Sequence, residues 1–229
     1  MKISTQFPTI SHAPLLRDVP AEEAEAFLLQ GRIRFTENAT PLLTQGKKPE
    51  GVYLIAEGTI EISYVSPEGH RTIIAHDGPG RTIGAIEAVA NRACAASCVA
   101  FPGTYVLQWS PEDYAQRLHC PVFLRNFADL ALDVLQHDNA SKAVDQFYTA
   151  EQRICTYLCK LAGENRTFQQ SQSYLANAVG CTRQTVNKEL SYLKDRGVIA
   201  ISKGRVEILD PTGLDRRIAE LDERRTASA

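Results

Sequence analysis

The sequence predicts an α+β fold in three parts: an N-terminal antiparallel β-roll over 1–120, a long dimerisation helix over 121–149 and a C-terminal winged helix-turn-helix over 150–229. Three observations support this prediction. Short apolar and β-branched runs separated by Gly and Pro turns fill residues 31–109. A long segment with mainly apolar residues at alternating spacings of three and four follows. Near the end of the chain come two helical segments with N-cap residues and then a hairpin.

The β pattern is clearest in the middle of the N-terminal part. Residues 51–56 and 59–65 are expected to form strands joined at Glu57-Gly58, because Gly permits the positive φ of a tight hairpin. Further strands are expected at 71–76, 95–101 and 104–109, with Pro102-Gly103 between the last two. Ser110 followed by Pro111 predicts the start of a helix. Short strands with frequent turns favour a small antiparallel barrel or sandwich.

Residues 121–149 carry one long helical pattern with a heptad-like seam. Its positions are Phe127, Leu130, Val134, His137, Ser141 and Val144. We expect this seam to contact a second copy of the chain. A second apolar set would serve the β domain, and it consists of Leu124, Ala128, Ala131 and Leu135. The alternative is a helix that lies only on its own β domain.

The C-terminal part contains two short helical segments with capping signals. Residues 171–180 predict a helix with Ser171 as N-cap and Gly180 at its end, and Thr182 caps a second helix over 183–193. Ala176 lets the two helices approach, and Val186 packs the second helix on the first. Two strands at 198–202 and 205–209 complete a small wing. Together these features are typical of a winged helix-turn-helix.

The second helix has a polar outer face of the kind that reads base edges in a DNA major groove. An Arg pairs with guanine, a Gln or Asn with adenine, and a Lys with guanine or phosphate. The predicted DNA-binding residues are Ser171, Gln172, Thr182, Arg183, Gln184, Thr185, Asn187, Lys188, Lys203 and Arg205. The alternative is a solvated helix face in an all-α domain, which would need neither the caps nor the wing.

Charge and composition narrow the classes of function. The formal net charge is −2, yet residues 165–206 contain seven basic and two acidic side chains, which is typical of a nucleic-acid module on an acidic body. The six cysteines form no C-x-x-C pair and no dense framework, so we expect a reducing cytoplasm. Without a signal-peptide pattern or a long apolar run, we expect no membrane partner. No metal site and no catalytic motif are predicted.

The sequence resembles the cyclic AMP receptor protein/fumarate–nitrate regulator (CRP/FNR) family over nearly its whole length. The resemblance lies in three segments: VYLIAEGTIEI, GPGRTIG and CTRQTVNKELSYLKDRGVI. It implies a cyclic nucleotide-binding-like β-roll and a cytoplasmic homodimer that binds a palindromic promoter site. It also implies RNA polymerase as a partner. Where the family often carries Arg, Glu and Arg on the recognition helix, this chain has Arg183, Gln184 and Lys188.

The resemblance also implies an effector pocket, whose expected residues are Gly84, Ala85, Glu87, Arg92, Cys94 and Ala95. Family members that bind cyclic nucleotides carry Glu after the cassette Gly and an Arg for the cyclic phosphate. Here Ala85 and Cys94 occupy the matched positions, so we expect an effector other than cyclic AMP, and its identity stays unknown. The alternative is a shifted register, because Glu87 and Arg92 are each two residues away from these positions. No cysteine precedes Cys94, which argues against the family's N-terminal iron–sulfur cluster.

Two other classes of function stay open. The β-roll could belong to a regulatory subunit acting on a protein partner, but such a subunit would not need a basic recognition helix. A small enzyme would need a catalytic cluster that the sequence does not show.

Overall fold

The computed structural model describes residues 2–162, 167–168, 171–202 and 205–226. The chain forms two compact units, with the boundary between Gln136 and His137. This boundary falls within one long helix, so the first unit contains the β domain together with the N-terminal half of that helix. No helix in the described ranges is long and apolar enough to cross a membrane.

The first 30 residues pack tightly on the β domain, although their sequence is mostly polar. They form α1 (Ile3–Gln6), two 3-10 turns (Pro8–His12 and Pro14–Leu16) and α2 (Ala21–Gln30). Phe27 of α2 stacks on Trp109 with ring centroids 4.5 Å apart, and the Trp109 indole N–H donates to the Phe27 carbonyl at 3.3 Å. Since the sparse apolar side chains of this segment are nearly all buried, it is part of the core.

Eight strands form two four-stranded antiparallel sheets, in agreement with the expected small barrel or sandwich, although the sequence predicted only five of the strands. They are β1 (Arg32–Thr36), β2 (Thr40–Leu43), β3 (Val52–Glu57), β4 (Ile60–Val65), β5 (Arg71–Asp77), β6 (Thr82–Ile83), β7 (Ser97–Ala100) and β8 (Thr104–Trp109). The strand orders are β1-β8-β3-β6 and β2-β7-β4-β5. Strand β3 is buried on both faces: Val52 and Leu54 face the helices, whereas Tyr53 and Ile55 pack with side chains of the second sheet.

The structure shows why the β3–β4 turn requires a glycine. Gly58 has φ +85°, and a Cβ there would come within 2.7 Å of the Thr104 Cα. After β6 the chain forms α3 (Ala85–Ala90), which the sequence did not predict, and after β8 it forms α4 (Pro111–Arg117). The Ser110 hydroxyl accepts from the Asp113 amide at 3.0 Å, so the predicted cap of α4 is present.

The long helix α5 (Pro121–Phe147) contacts its own β domain through a face different from the one expected. Phe123 and Asn126 are buried, and the Asn126 amide donates to the carbonyls of Leu15 and Arg17 at 2.9 and 2.8 Å. Phe127 packs against the same core. Leu124 and Leu135, expected to serve the β domain, are instead 51% and 61% exposed. The prediction for these two residues is therefore wrong.

The second unit contains α6 (Ala150–Ala162), β9 (Thr167–Phe168), α7 (Gln172–Ala178), α8 (Arg183–Asp195), β10 (Ile199–Ser202), β11 (Arg205–Ile208) and α9 (Pro211–Thr226). The wing hairpin β10–β11 is present as predicted, and β9 adds a third strand beside β11. Neither β9 nor α9 was predicted. Side chains from α6, α7, α8, the wing and α9 share one hydrophobic core, which holds α8 in place.

Candidate DNA-binding surface and effector pocket

The helix pair α7 and α8 begins at two hydroxyl caps. The Ser171 hydroxyl accepts from the Tyr174 amide at 3.1 Å, and the Thr182 hydroxyl accepts from the Thr185 amide at 3.1 Å. The Thr182 and Thr185 hydroxyls also lie 2.9 Å apart. These contacts satisfy amides that a helix N-terminus leaves unpaired. Ser171, Thr182 and Thr185, predicted to bind DNA, thus also fix where the two helices begin.

An arginine of α6 closes the turn between these helices. The Arg153 Nε donates to the Val179 carbonyl at 2.9 Å, and an Nη of the same side chain donates to the Gly180 carbonyl at 3.3 Å. Gly180 has φ +62°, which suits a residue without a Cβ. Arg153 therefore satisfies carbonyls that the end of α7 leaves free, a role that the sequence did not reveal.

The inner face of α8 is apolar except at one residue. Val186, Leu190 and Leu193 are almost fully buried, as predicted. Glu189 is buried among them, and its carboxylate forms a bidentate pair with Arg217 of α9 at 2.7 and 2.9 Å. The Arg217 guanidinium also lies over the Tyr192 ring, 3.8 Å from its centroid. This buried ion pair joins the recognition helix to α9, and the sequence analysis missed it.

The outer face of α8 presents the predicted DNA-binding side chains. Arg183, Gln184 and Lys188 are exposed, and within the described part of the chain none of them has a hydrogen bond or ion pair. These three side chains therefore face solvent. Gln172 is half-buried, and Arg205 is exposed at the start of β11. Lys203 lies outside the described residues.

Asn187 differs from its neighbours on α8. It is half-buried, and its side-chain oxygen Oδ1 is fully buried without a hydrogen-bond partner in the described part of the chain. An oxygen enclosed in this way cannot reach a base edge. The structure therefore separates Asn187 from the exposed residues with which the sequence analysis grouped it.

The predicted effector residues surround the N-terminus of α3. Gly84 has φ +77°, and a Cβ there would lie 2.8 Å from the Gly51 carbonyl oxygen. Ala85 is buried at the first position of α3. The Glu87 carboxylate accepts from the Ala95 amide at 3.4 Å, so it holds the loop that follows the helix. The structure thus brings Gly84, Ala85, Glu87 and Ala95 together.

The two remaining pocket residues differ in their surroundings. Arg92 is exposed, with its backbone amide bonded to the Glu87 carbonyl at 3.0 Å. Cys94 is 3% exposed and packs with Leu43, Tyr53 and other apolar side chains inside the roll. It precedes β7, which begins at Ser97 and not at the expected position 95. Burial raises the pKa of the Cys94 thiol, which keeps this position uncharged at neutral pH.

The residues assigned to the dimer seam divide between two faces of α5. Phe127 packs on the core, and Leu130 is half-buried beside Pro14 and Leu15. These two residues therefore pack partly on the chain's own β domain, and their assignment to the dimer contact stays a prediction. Val134 is 46% exposed and Val144 is half-buried. The His137 and Ser141 side chains lie outside what the structure describes.

Comparisons with known proteins agree with this architecture. Residues 27–119 match the model of the cyclic nucleotide-binding domain, and residues 152–217 match that of the Crp-like helix-turn-helix domain. A cyclic AMP receptor protein from Thermus thermophilus is 27% identical over 206 residues, which is 89% of this chain and 95% of the relative.

Solved structures show the same fold. The Thermus thermophilus catabolite activator protein is 27% identical with a TM-score of 0.53, over 91% of this chain and 99% of that one. FixK2 from Bradyrhizobium japonicum has a TM-score of 0.71 at 17% identity, over 84% and 97% of the two chains. With its β-roll followed by a winged helix-turn-helix, this chain belongs to the CRP/FNR family of DNA-binding transcription regulators.

Proposed function

We propose that this regulator acts in the cytoplasm as a homodimer that places the α8 helices of two copies in the major groove of a palindromic promoter site. The exposed side chains at the N-terminal end of α8, which have no polar partner among the described residues, carry this proposal. Arg183 stands at the first position of the helix, where its guanidinium can pair with the O6 and N7 atoms of guanine. RNA polymerase is the protein partner expected of a promoter-bound regulator.

Replacing Arg183 with Ala is expected to weaken binding to the preferred duplex by about 1–3 kcal/mol and to relax the preference at one base pair. Fluorescence anisotropy with labelled duplexes at fixed salt measures both effects. Lys194→Ala is the matched control, because it removes one positive charge from the exposed last turn of the same helix. If Arg183→Ala weakens binding equally on every duplex, Arg183 contacts phosphate only.

The dimer is proposed to form through the exposed apolar side of α5. Leu124, Leu132 and Leu135 are between 51% and 61% exposed on this side, and Val134, at its edge, is 46% exposed. These residues lie within three turns of one helix, and a soluble protomer would leave that much apolar surface in water only at a cost. A second copy of α5 would cover it, and the two copies would then be related by a twofold axis, as a palindromic site requires.

We further propose that the effector is not cyclic AMP. The cyclic phosphate carries a full negative charge, and removing it from water requires a cation or several donors. Cys94 sits at the matched position as a buried neutral thiol, and Ala85 offers the ribose no carboxylate. The interior of the roll is lined by apolar side chains. The Thermus thermophilus relative is named as a cyclic AMP receptor protein, so cyclic AMP is the first ligand to test.

Isothermal titration of the full-length protein with cyclic AMP and with cyclic GMP should show no binding tighter than about 10 μM, which corresponds to about 7 kcal/mol. Arg92 is the one predicted pocket residue with a guanidinium, so Arg92→Ala tests whether it swings in to hold the phosphate. Arg32→Ala, on exposed strand β1, is the control. Tight binding that is lost in Arg92→Ala and kept in Arg32→Ala would overturn the proposal.

A further inference from the structure

Only one side-chain amide on the recognition helix is available to read adenine. Adenine presents an acceptor, N7, and a donor, the N6 amino group, in the major groove, so a side-chain amide needs both its oxygen and its nitrogen exposed to pair with it. Gln184 and Asn187 are the two amides of α8. They lie three residues apart, which places them near each other on the helix surface.

Their surroundings separate them. The Asn187 Oδ1 atom is fully buried, with no hydrogen-bond partner among the residues that the structure describes, so it is not presented to an adenine amino group. Gln184 is exposed and has no polar partner among the described residues. It lies in the first turn of α8, directly after Arg183 and two residues after the N-cap Thr182. The first turn is the part of a recognition helix that meets base edges.

We propose that Gln184 selects adenine at one position of each half-site and that Asn187 does not read a base. This inference rests on the proposed DNA-binding function and adds the identity of one base to it. Gln184 and Lys188 are four residues apart on one face, a separation of about 6 Å along the helix axis. Two base-pair steps span about 6.8 Å, so Lys188 is placed over a base pair about two steps from the adenine.

A carboxylate at position 184 would change which base the side chain can pair with. Glutamine donates to N7 and accepts from N6, whereas glutamate only accepts and pairs with the cytosine N4 amino group. Gln184→Glu keeps the length and shape of the side chain and replaces its terminal NH2 group with an oxygen. The inference therefore predicts a change of preferred base, which a purely structural role of Gln184 would not produce.

The test is selection of bound duplexes from a pool with a randomised centre, using the full-length protein. We expect adenine at one position per half-site for the unchanged protein, cytosine at that position for Gln184→Glu, and the same bases elsewhere. Binding constants on the two selected duplexes should invert, with about a tenfold preference or more in each direction. Asn187→Ala is the matched control and should leave the selected bases unchanged.

The outcomes separate the inference from the function on which it rests. If no duplex is selected by the unchanged protein, the proposed function fails. If duplexes are selected but Gln184→Glu prefers the same base as the unchanged protein, DNA binding stands and the role of Gln184 is wrong. A loss of adenine preference in Asn187→Ala, with Gln184 intact, would assign the base contact to Asn187 and overturn the inference.

Discussion

Replacing Arg217 with Met is expected to lower the free energy of unfolding of the C-terminal unit by about 3–5 kcal/mol. The side chains of Arg217 and Glu189 are 8% and 3% exposed, and two hydrogen bonds join them. The variant would leave the Glu189 carboxylate inside the core without this partner, and the Cys155 thiol, 3.9 Å away, is only a weak donor. A buried charge without a partner carries the full cost of leaving water.

Two further variants show that the effect belongs to the pair. Glu189→Leu combined with Arg217→Met removes both charges, and we expect most of the stability to return, because apolar side chains often replace a buried ion pair at little cost. Arg216→Met is the matched control. Arg216 is 71% exposed and pairs with Asp210 at the surface, so its loss should cost no more than about 1 kcal/mol.

Hydrogen-exchange mass spectrometry on peptides from α8 and α9 measures this stability where the pair lies, since the amides of each element report its own opening. The Arg217→Met variant should lose protection in both helices and keep it in the β-roll. Equal protection in Arg217→Met and Arg216→Met would show that the pair contributes nothing to the attachment of α8. In that case the hydrophobic core alone would hold the recognition helix.

The DNA-binding unit shows which features local sequence signals can predict. The caps Ser171 and Thr182 and the wing strands follow from short patterns whose physical cause lies within a few residues. The Glu189–Arg217 pair joins residues 28 positions apart, and no local rule connects them. One signal was present: Glu189 falls on the same helix face as Val186 and Leu193, where a charged residue requires a buried partner.

Helix α9 was missed for a different reason. It is rich in charged residues, and its apolar side chains Leu214, Ile218 and Leu221 recur every three or four residues. That spacing indicates an amphipathic helix, although many charged residues lie between the apolar ones. Leu214 is completely buried in the core of the C-terminal unit. A short apolar stripe with helical spacing is therefore better evidence for a packed helix than the overall polarity of the segment is against it.

The long helix shows a limit of periodicity itself. Helix α5 carries two apolar faces, and the spacing of each fits a helix equally well. Which face meets the β domain depends on the shape of that domain, and the contacts of Asn126 with the Leu15 and Arg17 carbonyls fix the rotation of α5. As a result, Phe127 is turned inward and Leu135 outward. The proposed dimer contact accordingly centres on Leu124 and Leu135 of the second apolar set.

Leu135→Asp is therefore expected to convert the dimer into a monomer at low micromolar concentration. In a twofold interface each residue near the axis meets its own copy, so one substitution brings two carboxylates together and buries them. Because Leu135 is 61% exposed in the protomer, the substitution should leave the fold of the single chain intact. Val134→Asp, at the edge of the same surface, should weaken the dimer less, since Val134 is less exposed than Leu135, at 46%.

Analytical ultracentrifugation measures the effect, and circular dichroism confirms that each variant is folded. Leu29→Asp is the matched control, because Leu29 is 58% exposed on α2 and lies outside the proposed contact. The monomeric variant should also bind a palindromic duplex more weakly than the unchanged protein, since two linked recognition helices gain from their high effective concentration. A Leu135→Asp protein that stays fully dimeric would show that α5 does not form the contact through this face.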